Sequence, residues 1–231
     1  MKFFEYKKIG HKIKWDIFGI KITFHLPPKK NHYISLGGNC FVRMVLTKFG
    51  LKASKKQGEL SCPFDLCYTP LSSLVKVLEN DFSDFLDDIE CLEAGKSFIN
   101  KKYSIYFIHE NNLTLEDFKI RYKKRIENFR KISASKSLKK YVFNCEQNDF
   151  TIEQLNKIYD LLKIYCKGSP FKFYVLNFQH DNIPKVNLTG INPDINYEEF
   201  DVTEEFKHDW LGNFDWIVKN INKEIFYNIM K

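Results

Sequence analysis

The feature that most constrains the fold is the segment from His32 to Cys40, where two glycines join a short apolar stretch to a helical pattern. It predicts a strand over 33–36, a tight glycine turn, and a helix that begins at Cys40. Glycine permits the positive φ angles that such a turn requires. A strand followed by a turn and a helix is the basic connection of α/β proteins. The cysteine is therefore expected in the first turn of a helix.

The rest of the chain continues this alternation between strand patterns and helical patterns. Thr114 precedes Asp117 by three residues and Thr151 precedes Gln154 by three, a spacing typical of capped helix starts. Strands separated by helices predict an α/β fold, or an α+β fold, with a central sheet covered by helices. The expected helices are 40–49, 71–80, a long one after Thr114, 151–165 and 214–229, the expected strands are 33–36, 103–108, 141–143 and 171–178, and 181–205 is expected to be irregular.

The N-terminal residues differ from this pattern. Residues 1–31 are basic and aromatic, and a pair of prolines at 27–28 separates them from the alternating body. Apolar and polar residues alternate over 20–24, which predicts a strand within a hairpin. We therefore expect a hairpin-like N-terminal segment at 1–31 and a single α/β domain of catalytic type at 32–231. The segment either makes weak contact with an anionic membrane surface or packs on the domain edge.

Composition excludes several classes of protein. Hydrophobic residues make up 44% of the 231 residues, enough for a core, but no apolar run reaches the roughly 18–20 residues that span a bilayer. The N-terminus lacks a secretion signal pattern, so we expect a cytoplasmic protein, free or peripheral to the inner membrane face. A net charge of +7 on dispersed lysines predicts no nucleic-acid partner. The six cysteines fit no zinc or disulfide spacing, so we expect neither metal nor cofactor.

The cysteine at the helix start is a candidate nucleophile. Unpaired amides and partial positive charge at a helix N-terminus favour the thiolate of Cys40, and the amides of 39–42 offer an oxyanion hole. The alternative is a buried structural thiol. A cysteine nucleophile needs a base, and the candidates are His109 and His180, each at the end of a predicted strand. Further members of the predicted catalytic site are Asn39 beside the nucleophile and, as acids that orient the base, Asp65, Glu110 and Asp181.

Four motifs, in this order, resemble a bacterial family of unknown function described as papain-like cysteine peptidases. They are Ile34–Cys40, Pro63-Phe64-Asp65, the run 80–86, and Phe107–Glu110 with the helical stretch 121–129. The resemblance extends over about 32–180. It implies that Cys40 is the nucleophile and His109 the base. In that family the Phe-Asp pair is usually followed by Trp, where this chain has Leu66.

A weaker resemblance concerns the turn alone. Gly38-Asn39-Cys40 is similar to the Gly-Asn-Cys-Gln turn of a capsule-polysaccharide biosynthesis family of acyltransferases, with Phe41 in place of Gln. Three functions follow as expectations. The first is Cys–His acyl transfer or hydrolysis on a small-molecule, peptide or glycan substrate. The second is an acyltransferase or related modifying enzyme of surface polysaccharide biosynthesis. The third is a non-catalytic binding or scaffold protein of a glycan-assembly complex.

Overall fold

The structure is a computed structural model that describes residues 4–9, 12–17, 19–25, 31–52, 59–92, 97–146, 149–180 and 185–202. The predicted helix at 214–229 lies outside these residues. The helices are α1 (Phe41–Lys48), α2 (Leu71–Glu79), α3 (Leu115–Ser133) and α4 (Ile152–Cys166). The strands are β1 (Phe4–Ile9), β2 (Lys12–Ile17), β3 (Ile20–His25), β4 (His32–Ser35), β5 (Ile89–Leu92), β6 (Ser97–Asn100), β7 (Ile105–Phe107), β8 (Lys139–Glu146), β9 (Phe171–His180) and β10 (Ile195–Val202).

The central sheet consists of four parallel strands in the order β10-β9-β8-β4. In this register Ser35 of β4 lies beside Val142 of β8, which lies beside Tyr174 of β9. The spatial order of these four strands follows their order in the chain, so each new strand adds to the same edge of the sheet. A parallel sheet with helical connections is an α/β fold. The predicted fold class, with a central sheet covered by helices, is confirmed.

The two faces of this sheet pack against different helices. Tyr33, Val142 and Tyr174 point to one face, where they form a core cluster with α1. Their neighbours Ile34 and Tyr141 point to the other face and pack with α2, α3 and α4. The alternation follows from the two-residue period of a strand. Among the helices that the structure describes, α1 packs on one side of the sheet and α2, α3 and α4 on the other, which gives three layers.

The presence of strand β10 contradicts one prediction from the sequence. The segment 181–205 is predicted to be irregular, and this is wrong for Ile195–Val202, which pairs with β9 over its whole length. Among the residues of β10 whose side chains the structure describes, only Ile195 is buried. An edge strand pairs on one side only and tolerates polar residues, so its composition resembles a loop.

Two smaller antiparallel sheets accompany the central one. Strands β5, β6 and β7 form one of them, and strands β1, β2 and β3 form the other. In the β2–β3 hairpin the amide of Gly19, at φ +84°, donates to Asp16 Oδ1 at 3.0 Å. The predicted strand at 20–24 and its hairpin are therefore confirmed. The domain boundary after residue 31 and the membrane contact stay predictions.

The helix starts follow the capping signals in the sequence. At the start of α3, Thr114 Oγ1 accepts a hydrogen bond from the amide of Asp117 at 3.1 Å. At the start of α4, Thr151 and Gln154 form a reciprocal capping box. Such caps satisfy amides that have no partner within the helix. They fix the starts of the two long helices, which cover the face of the sheet opposite α1.

Candidate functional site

The position of the site follows from the connections after two neighbouring strands, which leave the sheet on opposite faces. After β4 the chain turns to α1 on one face, and after the adjacent β8 it turns to α4 on the opposite face. Where neighbouring connections diverge in this way, a crevice opens at the carboxyl ends of the strands. The segment Leu36–Cys40 lies at this edge, between the end of β4 and the start of α1.

Two glycines allow the chain to pass close to its neighbours in this turn. Gly37 and Gly38 have φ angles of +95° and +80°. A Cβ at Gly37 would lie 2.8 Å from the Cβ of Thr69, and one at Gly38 would lie 1.9 Å from the carbonyl oxygen of Asn144. Both positions therefore require glycine for conformation and for space. The backbone of Gly38 also forms a β-bridge with Thr69.

Two asparagines hold the turn in place. The amide of Asn39 donates to Asn144 Oδ1 at 3.2 Å, and the amide of Phe41 donates to Asn39 Oδ1 at 2.9 Å. These bonds occupy two of the four amides, 39–42, that the sequence predicts as an oxyanion hole. The amides of Cys40 and Val42 are left as the candidate donors. Asn144 is 1% exposed, so its side chain is a fixed part of the structure.

Cys40 is the N-cap residue of α1, which confirms the predicted strand–glycine–helix position. Its side chain is 5% exposed. Burial raises the pKa of the Cys40 thiol, while a hydrogen bond from its own main chain acts in the opposite direction. The sequence predicts a stabilised thiolate, and the structure instead favours the neutral thiol. Removal of solvent penalises the charged form of the thiol more than this hydrogen bond favours it.

A cleft of about 540 Å³ lies beside this turn. It is bounded by residues from the β4–α1 turn, from the approach to α2 and from the end of β8. These are Gly38, Asn39, Tyr68, Thr69, Pro70, Leu71, Phe143, Asn144, Cys145 and Asp149. The lining ends at Asn39, the residue before Cys40. A substrate in this cleft would therefore lie next to the candidate nucleophile.

His109, the first candidate base, is exposed and follows β7. Strand β7 reaches the cleft through Tyr106, which forms a β-bridge with the lining residue Tyr68. The backbone of His180, the second candidate, ends β9 at the same carboxyl edge of the central sheet as the turn. Asp181 lies outside the described residues. The assignment of the base stays a prediction.

Asp65 is engaged in a buried ion pair. Its Oδ1 accepts from Lys52 Nζ at 2.8 Å, and its Oδ2 accepts from the amide of Cys62 at 2.9 Å. The side chains of Lys52 and Asp65 are 0% and 2% exposed. These contacts give Asp65 a structural role in the turn that holds Phe64 in the core. Its predicted role in orienting a base stays a prediction.

Glu110 is likewise buried, at 1% exposure, although it follows the exposed His109. Its Oε2 accepts from Arg121 at 2.6 Å, and its Oε1 lies 2.6 Å from Arg125 and accepts from Tyr122 at 3.2 Å. The carboxylate therefore ties the end of β7 to α3. This network holds the loop that carries His109, and the predicted role of Glu110 beside the base stays a prediction.

The chain matches a known family over most of this architecture. Residues 31–182 match the family described as "Putative papain-like cysteine peptidase (DUF1796)". The chain belongs to this family. The first resemblance predicted from the sequence is thereby confirmed. The similarity of the turn to the acyltransferase family is not shown by the comparisons. No curated protein and no solved structure matches the chain.

Two of the motifs that carry the family resemblance, Ile34–Cys40 and Pro63-Phe64-Asp65, meet at the end of β4. Ser35 Oγ donates to the carbonyl oxygen of Phe64 and accepts from the amide of Gly37, both at 3.4 Å. The Phe-Asp motif therefore contacts, through Ser35, the turn 36–40, which we name the nucleophile turn after the candidate Cys40. Within the described part of the chain, no helix has the length and hydrophobicity needed to cross a membrane. No group of three or more metal-binding side chains occurs among the described residues either.

Sequence reasoning missed the residues that shape the cleft opposite the turn. Asn144, Cys145 and Asp149 follow the core of β8, and Tyr68 and Thr69 precede α2. A polar pair directly after the apolar stretch 141–143 is a usable signal, because the ends of parallel strands meet at one edge. Tyr68 gave no such signal, since its place depends on a bridge to a distant strand.

Proposed function

We propose that this member of the peptidase family is a cysteine-dependent acyl hydrolase with Cys40 as the nucleophile. The observation that carries the proposal is the placement of Cys40 at the N-cap of α1, beside a cleft at the diverging edge of a parallel sheet. This is the position in which α/β proteins bind ligands. Family membership supports the same conclusion, since the family is described by its cysteine chemistry.

In the proposed reaction the thiol gives its proton to a base as sulfur attacks a substrate carbonyl carbon. The carbonyl oxygen becomes an oxyanion, for which the amides of Cys40 and Val42 are the candidate donors. The protonated base then gives the proton to the leaving amine, which departs and leaves a thioester on Cys40. Water attacks the thioester with the same base as proton acceptor, and the thiol is regenerated.

The raised pKa of Cys40 specifies how the base must act. Burial favours the neutral thiol in the resting protein. The proton must therefore leave during the attack rather than before it, as in a serine enzyme. His109 is the proposed base because it is exposed on a loop anchored by Glu110, and it emerges after a strand that contacts the cleft wall at Tyr68. His180 is the proposed alternative.

A burst experiment with p-nitrophenyl acetate tests the nucleophile. We expect a stoichiometric burst of nitrophenolate and an acetyl adduct on Cys40, identified by mass spectrometry of the peptides. Cys40→Ala should abolish both. Cys145→Ala is the matched control, because Cys145 also lines the cleft. A burst that survives in Cys40→Ala, or an adduct on Cys145, would overturn the proposal.

The base is tested in the same assay. His109→Ala should lower the rate of acylation by about 10²–10⁴-fold, the usual contribution of a general base. His180→Ala is the matched comparison. If only the His180 variant shows the loss, the roles of the two histidines are exchanged.

A further inference from the structure

The wall of the cleft carries the exposed ring of Tyr68, and the exposed ring of Tyr106 lies beside it. Tyr68 and Tyr106 are 45% and 40% exposed, although both belong to paired backbone. Tyr68 donates its amide to the carbonyl oxygen of Tyr106 at 2.9 Å, and Tyr106 donates in return at 3.0 Å. The backbone of both residues is thus fixed while the rings remain accessible. Since aromatic rings bury large apolar surfaces when they serve the core, two exposed rings at a cleft suggest a ligand contact.

The two rings have a geometry that suits a compact group. Their centroids lie 6.2 Å apart and their planes meet at 58°. A cation interacts with an aromatic face within about 6 Å of the centroid. A point above the space between these rings satisfies that limit for both. A pyranose ring, in contrast, stacks the C–H groups of one face on a single aromatic ring and gains little from a second ring at this angle.

The charge of the cleft also favours a cationic ligand. Among the described residues that line it, Asp149 is the only one that carries a formal charge at neutral pH. The other polar lining groups are amides, hydroxyls and a thiol. An anionic substrate would therefore meet repulsion without a compensating cation, whereas a cationic group would be attracted. Aromatic faces together with a carboxylate are a chemically complete receptor for an ammonium or guanidinium group.

We propose that Tyr68, Tyr106 and Asp149 form a specificity subsite that accepts a basic side chain, lysine or arginine, of a peptide substrate. The subsite borders Asn39, so a bound basic residue would present its neighbouring amide bond to Cys40. This substrate class rests on the proposed cysteine hydrolase function. It follows from the wall of the cleft rather than from the nucleophile turn.

Two matched alkylating probes test the subsite on the full chain. One is N-acetyl-lysine chloromethyl ketone, and the other is the norleucine analogue, which keeps a four-carbon side chain and lacks the terminal ammonium group. We expect the lysine probe to label Cys40 about tenfold faster, equivalent to about 1.4 kcal/mol. Asp149→Asn and Tyr106→Leu should each bring the two rates closer together. Added salt should also reduce the preference, because Asp149 is exposed.

Controls separate this proposal from the proposed function. Asp160→Asn removes an exposed carboxylate from α4 and should leave the preference unchanged. Iodoacetamide reports the reactivity of Cys40 independently of the subsite. Labelling of Cys40 at equal rates by both probes would overturn the subsite and leave the nucleophile in place.

A binding measurement covers the opposite case, in which the nucleophile assignment fails. N-acetyl-arginine amide and its neutral citrulline analogue are titrated against protein that carries fluorotyrosine, with fluorine NMR as the readout. If Cys40 resists every alkylating probe, selective shifts of the Tyr68 and Tyr106 signals by the arginine compound would still support the subsite. Equal effects of the two compounds would reject it.

Discussion

Two segments that contain cysteines, 36–40 and 62–67, meet at Ser35 and differ in whether they lie beside the cleft. The turn 36–40 lies at the edge of the sheet next to an open cleft, and Asn144 holds it there. The segment 62–67 is buried, and burial raises the pKa of Cys62 and of Cys67 to about 12. Both segments are compact, and each contains a family motif, 34–40 in the first and Pro63-Phe64-Asp65 in the second. The difference is one of position: Cys40 follows a residue that lines the cleft, as the proposed nucleophile requires, whereas Cys62 and Cys67 are enclosed in the core.

The comparison is tested most strongly by removing the anchor of the buried segment. Phe64 is fully buried and packs against Phe82, Phe85 and Phe129. Phe64→Ala should lower the free energy of unfolding by about 3–5 kcal/mol, measured by urea denaturation. Ile164→Ala, at a 70% exposed position of α4, is the control and should cost much less. A small loss at Phe64 would show that the segment is not part of the core.

The next effect concerns the buried ion pair of the same segment. Asp65→Asn leaves the charge of Lys52 buried without a counter-charge, and should cost about 3 kcal/mol, the lower end for a broken buried pair. The double variant Lys52→Met/Asp65→Asn should regain most of this stability, because the unpaired charge is gone. If the single and double variants unfold at the same urea concentration, the pair is not what stabilises the turn.

The glycines of the nucleophile turn provide a third, smaller effect. Gly38→Ala combines a positive φ of +80° with a contact of 1.9 Å to Asn144. Gly50→Ala has a similar φ of +68° but nothing within 4 Å of the added Cβ. The φ penalty alone is about 1–2 kcal/mol, so Gly38→Ala should be the more destabilising of the two. Equal losses in thermal unfolding would show that the close approach to Asn144 carries no cost.

Alkylation rates give the finest comparison between the segments. Iodoacetamide reacts with thiolates, so a raised pKa lowers the rate at a given pH and moves the midpoint upward. For Cys40 we expect a rate that rises about tenfold per pH unit through neutrality, with a midpoint above the free-thiol value of about 8.5. Cys62 and Cys67 should react only after unfolding. Fast labelling of Cys40 at pH 6 would show instead a pre-formed thiolate.

The parts of the fold that sequence predicts are those with local causes. The turn at Gly37 and Gly38 and the capped starts of α3 and α4 follow from residues within one or two turns of chain. Strand β10 escaped prediction because its pairing with β9, rather than its composition, makes it a strand. Local pattern is a strong guide to helices and turns and a weak one to edge strands.

The same distinction applies to the site. Cys40 and Asn39 could be named in advance because they lie within one recognisable turn. The contact of Asn144 with Asn39 could not, because it joins residues more than 100 positions apart in the sequence. Glu110 was placed beside a base by its neighbour in the chain, while its carboxylate contacts Arg121 and Arg125 on α3. Adjacent residues point their side chains in different directions, so the neighbour of a candidate base in the sequence need not contact that base.

The pairing of β4 with β8 has a consequence for the order in which a ribosome releases this chain. Strand β4 ends at Ser35, and its partner β8 begins at Lys139, about 100 residues later. At a synthesis rate of about 5–20 residues per second, the partner emerges about 5–20 s after the strand. Asn144 arrives with it. Cys40 is thus translated early, while the residues that hold its turn are translated late, so the candidate site in the growing chain stays unassembled until the sheet closes.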